Sequence, residues 1–564
     1  MKKVILLTVA VAIFIALPLG SVFAVEVFTA PTEVLQYNPD KAYNGYTIFT
    51  PNMQSGPPFY TYMIDMKGNV VHTWESQYAA GLYAYLMEDG NLMHGCQVPA
   101  ATAADTYGVL SGPRCGGVEE LDWNGNVVWS VNHYSEDSIS HHDFQRIWNK
   151  KLNAYTTIFL TFERMTAADA VALGTDPIYE ADYTGTATAQ GWSLDGIYEV
   201  DMNGVPVWKW SFAEHLCQDY DPGKAGYVAD ISAHPEKLDV NWHTPYGGPN
   251  SDWTHCNSLD YNYDLDHFVL NAKHMSEFYV IDHGTTFVVG EAVPGTLAAT
   301  DAGDFLYRFG NPSVYDQGVP PGYHDQGEQQ MYQSHDIQWI RDVHYTGGPA
   351  LPGAGNFLIF DNGTWCPIMA HSEVLEINPY ILDSDGNTSS DYVNPPVAGY
   401  TPHAGEGGVG AVGFELSNQV VWRFLSQVNT SFNSSFISGQ TRMPNGNTVI
   451  MSGATGHMFE VTENKEVVWE YINPVTRSGV RTTQTDADGG MAFYTFRCYR
   501  YGPDYPGLAG KVLTPIGTLT GEPEFGGEPI VSVPITGWGI PPGTTSEAGG
   551  GAGAGGGEGG GGGY

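Results

Sequence analysis

Along most of the chain, apolar and polar residues alternate in short runs broken by Asn-Gly, Asp-Gly or similar pairs. This is the pattern of strands joined by tight turns. One phrase recurs: an apolar residue, an acidic or polar one, a turn, then Val and Trp. It reads IDMKGNVVHTW at 64–74, LDWNGNVVW at 121–129, VDMNGVPVW at 200–208, LSNQVVW at 416–422 and VTENKEVVW at 461–469. A degenerate copy, VIDHGTTFVV, lies at 280–289. Each copy predicts a hairpin, and the Trp that closes most of them is expected to plug the contact with a neighbouring sheet.

A second phrase often precedes the first, an apolar run around Asp-Gly-Asn or Asn-Gly-Asn, as in YLMEDGNLMHG at 85–95 and TRMPNGNTVIMSG at 441–453. With the runs at 155–162, 267–274 and 356–361 it supplies a strand pair upstream of each hairpin. The unit is then four strands repeated about six times, so the predicted fold is all-β, a six-bladed β-propeller with long inter-strand loops. The first hairpin lacks upstream partners, and MAFYTFRCYRY at 491–501 could complete that blade and close the ring. No long amphipathic helix is expected.

The termini read differently. Lys2-Lys3, the apolar stretch Val4–Leu19 and the small residues around Phe23 have the layout of a secretory signal peptide over 1–24. The propeller is expected over 25–515. From 516 to 564 the chain turns Gly/Pro-rich, a composition that cannot bury a core and predicts disorder. The expectation is an exported protein, periplasmic or extracellular, with no span after cleavage. A homo-oligomer or a surface assembly is the higher-order state to look for.

Composition narrows the partners. The 564 residues carry 62 Asp+Glu against 23 Lys+Arg, a formal charge of −39. So few bases exclude a phosphate-tracking nucleic-acid groove and disfavour an anionic membrane surface. They also mean that an anionic substrate would be repelled at long range and captured only locally. The six cysteines contain no CxxC; Cys96 and Cys115 could pair across a hairpin-sized gap, and a zinc site built from these thiols is not expected. DSDGN at 383–387 resembles half of a calcium loop without its downstream Glu, and is read as an ordinary turn. No cofactor or metal is expected.

Three histidines stand at matching register near the starts of repeat units: His142 in SHHDFQ, His255 in DWTHCNS and His335 in QSHDIQW. In a propeller such positions converge on the central channel. A histidine cluster there suits acid–base or nucleophilic chemistry, or metal ligation, which the missing HxH and HExxH spacings make the weaker choice. Taken singly, each could equally be a polar staple between blades.

At these residues a family resemblance emerges. DWTHCNSLDYNYDLDHFVLNAKH resembles the WxHxNSxxYD signature of bacterial arylsulfate sulfotransferases, and QSHDIQWI followed by NFLIFDNGT is similar to that family's QH and FDNG segments. The likeness extends from about residue 42 to 515. It implies a six-bladed, exported enzyme that moves a sulfuryl group from an aryl sulfate to a phenol through sulfohistidine, without a nucleotide donor. The family's nucleophilic histidine maps to His457 in GATGHMFEV, two further histidines map to His255 and His335, and Asn257 matches the Asn of HxNS. On this reading His457, His255 and His335 are catalytic, while Asn257 and His142 bind or orient the substrate.

One departure matters. The family places an arginine shortly after FDNG, but here the run is FDNGTWCPIMAHSEV, with no Arg between Arg341 and Arg423. Either Lys273, Arg308 or Arg442 enters the channel in its place, or the site has lost or changed its reaction. The alternative is a non-catalytic secreted propeller that serves as a binding or assembly module.

Overall fold

The computed structural model describes residues 31–104, 115–176, 192–242, 252–322, 327–367, 371–379, 392, 401–402, 415–425, 432–484 and 492–526. The expected signal peptide, the DSDGN turn and the tail beyond 526 lie outside them.

The turn chemistry recurs from blade to blade. Asp65 Oδ1 accepts the N–H groups of Lys67 and Asn69, both at 2.9 Å, and Asp122 Oδ1 those of Asn124 and Asn126 at 2.8 and 2.9 Å. Asp201 Oδ1 holds Asn203 and Val205 in the same way, at 2.8 and 2.9 Å. Gly68, Gly125 and Gly204 supply the positive φ (85°, 83° and 77°) that closes each turn.

These hairpins assemble into six four-stranded antiparallel sheets, the blades of a β-propeller. From the channel outward, blade one is Cys498–Tyr501, Tyr46–Phe49, Phe59–Ile64 and Val70–Ser76, so the C-terminal run does close the ring as its innermost strand. Blade two is Ala80–Leu86, Leu92–Gln97, Gly116–Leu121 and Val127–Asn132. Blade three is Ser138–Asn149, Ala154–Met165, Trp192–Asp201 and Pro206–Ser211, and blade four is Cys256–Asn262, His267–Ala272, Glu277–Asp282 and Phe305–Phe309. Blade five is His335–Trp339, Phe357–Asp361, Glu373–Ile377 and Val420–Leu425. Blade six is Gly439–Arg442, Thr448–Ser452, His457–Val461 and Val467–Ile472, with Glu33–Tyr37 added antiparallel on its outer edge.

Two expected hairpins are corrected. The strand after Glu277–Asp282 is not 285–289 but Phe305–Phe309, reached by a loop that contains a 3-10 turn. In blade five, LSNQVVW supplies only the outer strand; its partner is Glu373–Ile377, more than forty residues upstream of Val420. Short-range pattern identifies a turn but cannot tell which strand a long loop returns to.

Each inter-blade seam carries apolar side chains from both sheets, and the hairpin tryptophans lock several of them. Trp129 Nε1 donates to Met202 O in blade three (2.8 Å), Trp422 Nε1 to Glu463 O in blade six (2.9 Å) and Trp469 Nε1 to Met66 O in blade one (3.0 Å). Trp74, Trp208 and Trp469 are almost wholly buried, positions where truncation to Ala costs about 3–5 kcal/mol. Past residue 515 the chain still touches blade one: Ile516 and Gly517 exchange backbone hydrogen bonds with Val70, both 2.9 Å. Cys96 and Cys115 form no disulfide; both are buried thiols.

Candidate active site

Near the channel entrance, inner strands carry a local distortion at equivalent places. Leu82, His142, His255, Asp336 and Ser438, from blades two to six, have positive φ of 103°, 46°, 47°, 58° and 104°. The ladders of blades two to five slip register beside them. Left-handed backbone at non-glycine residues costs about 1–3 kcal/mol each and persists where packing over-determines it, commonly at functional sites. Here it re-aims side chains at the head of the inner strands.

Three of the expected residues meet there. The ring centroids of His142 and His255 are 5.1 Å apart, and His142 and His335 lie 6.3 and 6.2 Å from the ring of Phe496, contributed by blade one's approach to the channel. His274 closes on His255 at 4.7 Å.

The hydrogen bonds assign different capacities to these rings. Asn362 gives both amide protons to Ser434 O and Ile437 O, so its Oδ1 must accept the Nδ1–H of His335 at 2.6 Å. His335 Nε2 then accepts the N–H of Ile437 at 3.2 Å, and both of its nitrogens are spent. His255 donates Nδ1–H to Asp252, which leaves the lone pair on Nε2. His141 sets Nε2 2.8 Å from Asp195 Oδ1, off the ideal hydrogen-bond direction, and meets His142 Nδ1 through its own Nδ1 at 2.7 Å. With His141 protonated toward Asp195, His142 donates Nδ1–H and also keeps its lone pair on Nε2. Among the described residues neither Nε2 has a hydrogen-bond partner.

Electrostatics hold these rings neutral. Burial, reinforced by Lys273 and by neighbouring histidines, keeps His142, His255 and His335 well below the usual imidazole range. Lys273 is itself lowered from 10.5 by burial, with Asp252 opposing. No carboxylate among the described residues lies within ion-pair distance of its ammonium. Asp252, His255 and His274 could offer three ligand atoms within 4.8 Å of one another, but Lys273 beside them favours an anion over a metal cation.

The remaining expected residues stand elsewhere. Asn257 is fully buried; its amide donates to Ser334 O at 2.8 Å and its Oδ1 accepts from Asn271 at 2.9 Å, which ties blade four to the turn before His335. His457 heads the third strand of blade six, two strands out from the channel, on the face that carries Phe459 and Val461 into the seam with blade five. Its ring lies 5.0 Å from Phe459 and its Nε2 3.6 Å from Glu470. Arg308 is buried against Glu277 and Arg442 against Glu376, so of the three bases that could replace the missing arginine only Lys273 reaches the histidines.

Asp252, Asp195 and His141 were missed in sequence, although Asp252 opens the DWTH motif and His141 adjoins His142. Arg497 was missed as well. It joins the channel wall through Asp143 (2.9 Å), Asp336 (2.7 Å) and Asn257 O (3.3 Å), with Tyr83 and Phe496 flanking the guanidinium. Arg497, Asp143 and Asp336 also wall a cavity of about 750 Å³ at the other end of the channel, lined further by Tyr85, Arg146 and Arg341.

Solved structures with some likeness include a protein of unknown function from Bacteroides caccae (10% identity, 78% of this chain and 97% of that one, TM-score 0.35). A protein from Lactobacillus plantarum (9%, 78% and 98%, 0.31) and the periplasmic gluconolactonase PpgL of Pseudomonas aeruginosa (8%, 78% and 98%, 0.31) are comparable. At these scores they carry no argument about function. No curated protein matches. The arylsulfotransferase (ASST) family model matches residues 32–373, over half of the chain, including His142, His255, Asn257 and His335; the chain belongs to that family.

Proposed function

We propose that this chain is an exported arylsulfate sulfotransferase that moves a sulfuryl group from an aryl sulfate to a phenol through a sulfohistidine on His255. The observation that carries this reading is the pairing, in one channel mouth, of two buried imidazoles whose Nε2 atoms meet no partner among the described residues with a lysine that has no ion-pair partner among them. Such a set attracts an anion that the −39 chain repels at long range.

The steps balance. His255 Nε2 attacks sulfur and the sulfur–aryl oxygen bond breaks, with Asp252 stabilising the charge that develops on the ring. Lys273 neutralises the sulfuryl oxygens and protonates the departing phenolate. The acceptor phenol then gives its proton to His142 Nε2, from which Lys273 is recharged, and its oxygen displaces His255 from sulfur. His335 and Asn257 position the wall. On this reading the nucleophile is His255 rather than the outlying His457. Export rests on the N-terminal leader pattern, and members of this family are typically periplasmic; no helix among the described residues is long and apolar enough to cross a membrane.

Intact-mass analysis after mixing with an aryl sulfate tests this. Wild type should gain one sulfuryl group and lose it to an added phenol, and His457→Ala should do the same. Gain by His255→Ala but not by His457→Ala would overturn the assigned nucleophile. Turnover without any adduct would remove sulfohistidine, and no turnover across aryl sulfates would leave the non-catalytic module.

A further inference from the structure

Away from the channel, blade two brings three ligand-type side chains together. His94 and Cys96 sit two apart on the second strand and so share a face, and Glu119 is the direct cross-strand partner of His94. His94 and Cys96 are 2% exposed and Glu119 is 4% exposed. Their ligand atoms all lie within 4.8 Å of one another.

We infer that His94, Cys96 and Glu119 supply three donors to a divalent metal of zinc type, with water in the fourth position. Two of their spacings come close to edges of a coordination tetrahedron. His94 Nδ1 is 3.7 Å from Cys96 Sγ and 3.1 Å from Glu119 Oε1. Zinc bonded at ordinary lengths sets these edges at about 3.5 Å and about 3.4 Å. The donor set suits such a metal: one thiolate, one imidazole and one carboxylate span soft to hard and exclude calcium or magnesium. Charge also closes, because thiolate and carboxylate together neutralise a dication in a buried place. On binding, the Cys96 thiol proton leaves to solvent and the His94 ring keeps its proton on Nε2, which frees Nδ1 to coordinate. Ser76, at the end of blade one's outermost strand, donates to Glu119 at 2.6 Å. It orients that ligand and couples the site to the seam between blades one and two. This inference departs from the sequence-based expectation of no metal. It is independent of the transfer chemistry, which uses none of these side chains.

The test uses the purified full-length chain, stripped with chelator and then titrated with Zn²⁺ and with Co²⁺. One zinc per chain should be retained after dialysis, cobalt should give a thiolate-to-metal charge-transfer band, and stripping should lower the melting temperature. Cys96→Ser and Glu119→Gln should remove or weaken the band, while Cys115→Ser, a nearby thiol outside the set, should leave it intact. Absence of metal uptake and of the band in wild type overturns the site whatever the variants do. A band lost in Cys115→Ser but kept in Cys96→Ser overturns the ligand assignment. Should Cys96→Ser fail to fold, Glu119→Gln decides.

Discussion

The inner strands of the propeller begin at one mouth of the channel and finish at the other, and the two mouths handle charge in opposite ways. Where the strands finish, the space is large, about 750 Å³, and arginines gather in it. Most of them are already neutralised: Arg146 by Glu120 at 2.8 Å, Arg442 by Glu376 at 2.5 Å, and Arg500 by Glu460. Arg497, between the two mouths, holds Asp143 and Asp336. Where the strands begin, Lys273 has no carboxylate partner among the described residues, and two imidazoles keep lone pairs that no described residue engages. On the proposed reading volume and reactivity therefore separate: the roomy mouth is a structural collar, and the histidine mouth offers the groups that would act on a substrate.

The sharpest way to break this comparison is His255→Ala. If the histidine mouth is the reactive one, aryl-sulfate turnover should fall by roughly 10⁴-fold or more, as for loss of a nucleophile that acts within a unit. The thermal midpoint should move little. Steady-state kinetics on a chromogenic aryl sulfate read it, and turnover within tenfold of wild type would sink the assignment.

Next in size is Arg497→Met. Removing one partner from a buried charge cluster costs about 3–5 kcal/mol, because Asp143 and Asp336 are left without their cation. Urea denaturation should show that loss. A change near zero would mean that the two carboxylates are protonated or hydrated without Arg497. Asp336 is predisposed to this, since burial already pushes it up to about 6.

Lys273→Ala follows. Loss of the cation facing the sulfuryl oxygens should lower kcat about 10²–10³-fold, with partial recovery in Lys273→Arg. Equal folding of both variants separates this from a packing effect.

How far the sequence reveals these features follows from the range of the forces involved. The hairpins were legible because an Asp side chain, a Gly and a closing Trp within ten residues determine them, as at Asp122, Gly125 and Trp129. The strand pairing of Phe305–Phe309 was not, since nothing local to 283–304 says where the loop returns. His142, His255 and His335 were legible by repeated register. Their capacities were not, because Asp195, Asn362 and Lys273 reach them from other strands or blades. His457 shows the converse: a local motif marks a residue, but strand order within the blade decides its distance from the axis.

The pH profile sharpens the same contrast. A lone pair on His255 exists only above its folded pKa, and burial holds that pKa well below 6.5. So kcat/KM should stay level as pH falls from 8 to 6.5 and should drop only further into acid. On the alkaline side the fall should begin before 10.5, because Lys273 is lowered and loses its charge early. An acid limb centred at or above 6.5 would mean that water reaches the rings freely.

The smallest expected effect belongs to Arg341, the one collar arginine that stands mostly in solvent. Its side chain is 56% exposed and lies 3.1 Å from Asp260, whose buried carboxylate also accepts the N–H groups of Tyr261 and Trp339. With that carboxylate held by the backbone and Arg341 open to water, the pair contributes about 0–1 kcal/mol. Arg341→Ala should therefore leave both stability and turnover within about twofold of wild type. The value of this variant lies in its position. It removes the most accessible positive charge from the large cavity while it leaves the paired arginines intact. Were aryl sulfates to enter or react through the roomy mouth, this is the charge they would meet, and KM would rise severalfold at low ionic strength, with salt erasing the difference. An unchanged KM in Arg341→Ala, set beside a lost kcat in Lys273→Ala, assigns the anion to the histidine end.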